Sequence, residues 1–125
     1  MRPVLSCLAL LLITAALASA EEPSATAVVC TSIVNNSCAG ADVKFPANVS
    51  KLFGFSQVVN VPDKLVHVWF YGERELGRVE MAAPKVPRWK TWSNVTVARN
   101  MLGSWRLEAR DSSGKVLATF TFTLQ

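Results

Sequence analysis

Over residues 104–110 the apolar side chains Trp105, Leu107 and Ala109 alternate with Arg106, Glu108 and Arg110. This is the period-two pattern of a strand with one face in a core and the other in solvent. Asp111-Ser112-Ser113-Gly114 then reads as a turn. Residues 115–124 return, with Val116, Ala118, Phe120, Phe122 and Leu124 set against Leu117, Thr119, Thr121 and Thr123. Upstream, residues 27–31, 51–61 and 89–97 are β-branched and aromatic runs, while 65–70, 71–74 and 75–82 read as strand, turn and strand. In the strand at 65–70, Val66, Val68 and Phe70 share one face and His67, Trp69 and Tyr71 the other, so bulky groups on both sides predict an interior strand. Pro62 and the pair Pro84 and Pro87 punctuate the pattern, and residues 38–50 read as an irregular connection. Past residue 20 no segment sustains a 3.6-residue apolar period; residues 97–102 allow one helical turn at most. About seven short strands in a hundred residues predict an all-β chain. An antiparallel β-sandwich, immunoglobulin-like in architecture, is the expected fold, and a small open β-barrel is the alternative.

The start of the chain departs from this pattern. Residues 1–20 combine Arg2, an apolar run over 4–17 and the small residues Ala18-Ser19-Ala20, the layout of a cleaved signal peptide. A retained membrane anchor is the competing reading, but the run is marginal for a span. Cleavage predicts an exported protein, periplasmic or secreted, with a flexible arm at 21–26, one domain at 27–125 and no membrane-spanning segment left. One domain of this size is too short for a dinucleotide-binding fold or a TIM barrel. The 125 residues carry 13 basic and 9 acidic side chains. Losing Arg2 with the leader leaves 12 against 9, a net charge near +3. So mild an excess without a recognition module argues against nucleic acid as a partner.

Export also frames the cysteines. Cys7 leaves with the leader, and Cys30 and Cys38 remain in an oxidising compartment, where a bridge across seven intervening residues is the economical expectation. Free thiols and a metal site are the alternatives; two Cys with one distant His and no CxxC pair fall short of a zinc set, so neither a metal nor any other cofactor is expected.

Four blocks resemble a known family. They are His67-Val68-Trp69-Phe70-Tyr71-Gly72-Glu73-Arg74-Glu75, Arg78-Val79-Glu80, Arg88-Trp89-Lys90-Thr91-Trp92-Ser93 and Gly103-Ser104-Trp105-Arg106-Leu107-Glu108. Their order and spacing are similar to those of the bacterial domain of unknown function 2914, over roughly residues 28–124. The resemblance implies an exported or membrane-associated β-rich domain without an established activity, and it carries no catalytic residues.

The side-chain inventory points away from catalysis. One histidine, no Gly-x-Ser-x-Gly elbow and no spacing that pairs two carboxylates leave only a small hydrolase or transferase built on His67 as an enzymatic alternative. The favoured reading is a non-enzymatic binding or interaction module of the cell envelope. Its contact residues are expected at His67, Trp69 and Tyr71, joined by Arg88, Lys90 and Trp92 if their strands pair side by side. Tryptophan and tyrosine beside cations give large contact area with a polar handle. An unknown protein, a glycan or an anionic envelope component is the expected partner, and residues 85–90 add a compact basic and aromatic stretch. A purely structural accessory domain, stable through its core and the Cys30–Cys38 bridge, is the third reading.

Overall fold

The computed structural model describes residues 22–84 and 86–125. The leader expected at 1–20 and Lys85 lie outside the described residues. Eleven strands are described: β1 (Ser24–Ala25), β2 (Val28–Cys30), β3 (Ser32–Val34), β4 (Ser37–Ala39), β5 (Lys44–Phe45), β6 (Lys51–Val59), β7 (Lys64–Tyr71), β8 (Arg74–Ala82), β9 (Arg88–Thr96), β10 (Gly103–Asp111) and β11 (Val116–Leu124). The six long ones, β6 to β11, follow the predicted runs to within a few residues.

Two sheets pack face to face. In the first, β6 is central, with β9 along one side and β1 and β2 in succession along the other. The second runs β5-β11-β10-β7-β8. Neither closes on itself, so the architecture is the β-sandwich and not the barrel. Every pairing is antiparallel except that of β11 with the two-residue β5, which is parallel. That strand lies inside the stretch expected to be irregular. The expected arm also changes character, since Ser24 and Ala25 pair with Val59 and Val58 of β6. The turn at 97–102 contains no helix.

Between the sheets, Leu52 and Val29 from the first meet Trp69, Trp105, Leu107, Phe122 and Leu124 from the second. Trp105 stacks on Phe122 at 5.7 Å, and Trp69 meets the same ring edge-on at 6.4 Å. Gly54 makes this approach possible, because a Cβ there would lie 2.6 Å from Leu107 Cδ2 and 2.8 Å from Trp69 Cζ2.

The outer face of the second sheet explains the two-sided bulk of β7, an interior strand as expected. Val66, Val68 and Phe70 form a small apolar strip there. Arg106 lies 3.9 Å over the Phe70 ring, and Glu108 accepts hydrogen bonds from Arg106 at 2.9 Å and Arg110 at 2.5 Å. Burial works to raise the Glu108 carboxyl, but the Arg110 and Arg106 hydrogen bonds outweigh it and hold the group below its ordinary value. The charged side chains thus seal the strip with their aliphatic stems while satisfying one another.

Cys30 and Cys38 are joined in a disulfide, Cα atoms 5.7 Å apart. The loop it closes is itself a hairpin of β3 and β4. Asn35 and Asn36 at its tip both take positive φ, 51° and 59°. That is the two-residue turn whose twist matches paired strands, and asparagine tolerates it.

Candidate functional site

The structure divides the six expected contact residues into two groups. His67 and Trp69 face inward from β7 and are 0% and 1% exposed. They cannot form an outer binding face, because the side of β7 that carries them is the side packed on the first sheet. Their polar atoms are used within the sandwich. Ser56 Oγ on β6 lies 2.8 Å from His67 Nε2, Ser93 Oγ on β9 lies 2.6 Å from His67 Nδ1, and Trp69 Nε1 donates to Ser93 Oγ at 3.2 Å. One chain of donors satisfies all of these contacts. Trp69 donates to Ser93, Ser93 to Nδ1, and Nε2–H to Ser56, with the imidazole neutral. Burial pushes the His67 pKa down to about 4, which keeps the ring neutral across the physiological range. A serine beside a histidine is the raw material of a nucleophile and its base, but here both are fully enclosed.

Tyr71 lies at the end of β7, half-buried. Its hydroxyl donates to the Leu102 carbonyl at 2.7 Å, and Trp105 Nε1 donates to the Met101 carbonyl at 3.0 Å. Two aromatic handles thus tie down the connection into β10. The Tyr71 hydroxyl is thereby engaged within the fold.

Arg88, Lys90 and Trp92 stand elsewhere. Their strand, β9, pairs with β6 and not with β7, so the side-by-side arrangement with His67, Trp69 and Tyr71 is not formed. Alternation along β9 turns Ser93 inward to His67 and Arg88, Lys90 and Trp92 outward. Trp92 lies flat on Phe55 of β6, ring centroids 6.2 Å apart and planes 13° from parallel. One face of the indole is covered in this way and 37% of the residue stays exposed. Trp89 is 41% exposed near the start of the same strand.

These residues line a groove of about 460 Å³. Gln57, Val58 and Val59 of β6 contribute to it, as does Asn36 at the tip of the disulfide-closed hairpin. A second depression of about 270 Å³ runs from Trp89, Lys90, Thr91 and Trp92 toward Ala82 at the end of β8. The site is therefore the margin of β9, with Trp92 and two cations on its outer face and Trp89, paired opposite the core residue Val58, on the other. Among the described residues no ion pair engages Lys90, and no group of three or more His, Cys, Asp and Glu is placed to hold a metal ion. No helix among them is long and apolar enough to cross a membrane.

Gln57 and Asn36 were not expected from the sequence. Trp89 carried a signal in the basic and aromatic stretch at 85–90, whereas Asn36 reaches the groove only through the disulfide hairpin.

Comparison with known proteins adds one finding. The family model described as "Protein of unknown function (DUF2914)" matches residues 62–124, which hold β7 to β11 and all four motif blocks. The match does not extend to β6 or the disulfide hairpin, where the expected resemblance began near residue 28. No curated protein matches the chain.

Proposed function

We propose that the chain, which belongs to the DUF2914 family of proteins of unknown function, works as a non-enzymatic binding module of the cell envelope. Its contact surface is the margin of β9, where Arg88, Lys90 and Trp92 stand on the outer face and Trp89 on the opposite one. The observation that carries this reading is the division of the tryptophans. Trp69 and Trp105 are spent on the core, while Trp89 and Trp92 stay open beside two cations on one strand. Exposed indoles at a groove are costly to leave in water and provide contact area at small entropy cost, which is why they serve as anchors. The cations favour an anionic partner. The enclosure of the His67 ring between Ser56, Ser93 and Trp69 favours this reading over the enzymatic alternative. Export of the chain through its first 20 residues agrees with a bridged Cys30–Cys38 pair.

Tryptophan fluorescence of the full chain tests the reading, with acrylamide quenching before and after addition of peptidoglycan fragments, lipopolysaccharide, anionic lipid vesicles or an acidic peptide. Trp89 and Trp92 are expected to supply red-shifted, quenchable emission that one of these components protects. Trp92→Ala and Lys90→Glu should each weaken that protection about tenfold or more. Quenching that no component changes would overturn the reading, as would protection that both variants retain.

A further inference from the structure

We infer that the ligand of this margin is an extended acidic segment of a partner protein, added as a further antiparallel strand to the open edge of β9. The inference rests on the binding reading above and deepens it. β9 pairs with β6 over nine consecutive residues without a register shift. Just beyond its ends, the Val97 amide donates to the Ser50 carbonyl, and the Asn60 amide donates to the Pro87 carbonyl. Hydrogen bonding alternates along an antiparallel pair, so these two bonds place the odd-numbered residues of β9 on the β6 side. The amides and carbonyls of Lys90, Trp92 and Asn94 therefore point to the other edge, where no strand pairs among the described residues.

The other sheet edges are irregular or partly covered. β8 has a register irregularity opposite Trp69 and Phe70 and an Arg78–Glu75 ion pair. β5 covers β11 at Thr123 and Leu124 and leaves the rest of its edge open, with a register shift in its pairing to β10, and the far side of β6 is divided between β1 and β2. β9 is the open edge whose pairing runs its full length without a shift, a template for a further strand.

What flanks that edge indicates the occupant. In strand addition the main chain supplies affinity, and receptacles for alternating side chains supply specificity. The two depressions share Trp89, Lys90 and Trp92, one toward the hairpin tip and the other toward the end of β8. Lys90 lies on the outer face, so the matching strand carries a carboxylate opposite it. The same cation disfavours a second copy of this chain, which would bring another onto the ribbon. A stacked sugar would use the indoles and leave the row of backbone groups unused.

The test is amide hydrogen exchange of the full chain with a capped nine-residue peptide of alternating glutamate and valine. A lysine–valine peptide and a glutamate–valine peptide with a central proline serve as controls. The glutamate peptide should slow exchange at Lys90, Trp92 and Asn94 by roughly tenfold or more, and the controls should not. Asn94→Pro removes an amide on the open edge, not one bonded to β6, and should abolish the protection. Lys90→Glu should reverse the preference toward the lysine peptide. If the peptide shields the tryptophans but leaves those amides exchanging freely, strand addition is overturned and the binding reading stands. The same holds if only a glycan or anionic lipid binds. If nothing binds, both fail. Protection that grows with protein concentration alone, alongside a dimer in sedimentation, assigns the edge to a second copy and overturns the acidic partner.

Discussion

Gly54 lets Trp69 and Leu107 of the second sheet approach the backbone of the first, and a methyl group there has nowhere to go. Both obstructing side chains are fully buried in a packed core, so relief requires the sheets to part. Gly54→Ala is expected to cost about 1 to 3 kcal/mol, read from chemical denaturation. His67 yields a pH prediction. The unfolded histidine takes up a proton below its ordinary value of 6.5, while the folded one resists until about 4. Between those values the unfolded state binds more protons, so stability falls as the pH drops, by about 3 kcal/mol over the whole window, and the effect levels off below it. His67→Gln should flatten that slope, and denaturation curves from pH 7 to pH 4 check it. The role of His67 was not legible in sequence. Both faces of β7 carry bulky side chains, so alternation could not say which face meets the other sheet.

The disulfide hairpin is a small element with two consequences. Cross-linking Cys30 to Cys38 closes a short loop, worth roughly 2 to 3 kcal/mol in the chain-entropy account. Replacing both by Ser should lower stability by that order and also loosen Asn36 at the end of the groove. Thermal melts and ligand titration of the same variant separate the two effects. The bridge was legible from cysteine count and compartment. The two-residue strands β1 and β5 on either side of it were not, because each exists only through a partner distant in sequence. β5 depends on Thr123 and Leu124, and β1 on Val58 and Val59. The long strands were legible because each carries enough alternation to show its core face unaided, as Trp105, Leu107 and Ala109 do on β10.

At the scale of the whole molecule, pairing decided which expected contact residues meet. Strand order is a property of the sandwich, and local pattern gave no reason to place β9 against β6 rather than β7. The motif blocks therefore separate. The His67 and Trp69 block lines the interior, and the Arg88 to Trp92 block faces out, yet Ser93 joins the two across the core. Arg88, Lys90 and Trp92 were recognisable as surface residues because cations beside indoles have little use in a core. Tryptophan content alone could not separate Trp92 from Trp105. The proposed function requires recognition to be confined to the β6–β9 margin. Its most direct test is a chain-wide amide exchange map with and without the component that protects the tryptophans. Protection restricted to β9, the adjoining part of β6 and the tip at Asn36 is the predicted result. Protection centred on the outer face of β10 and β11, with β9 unchanged, would contradict it.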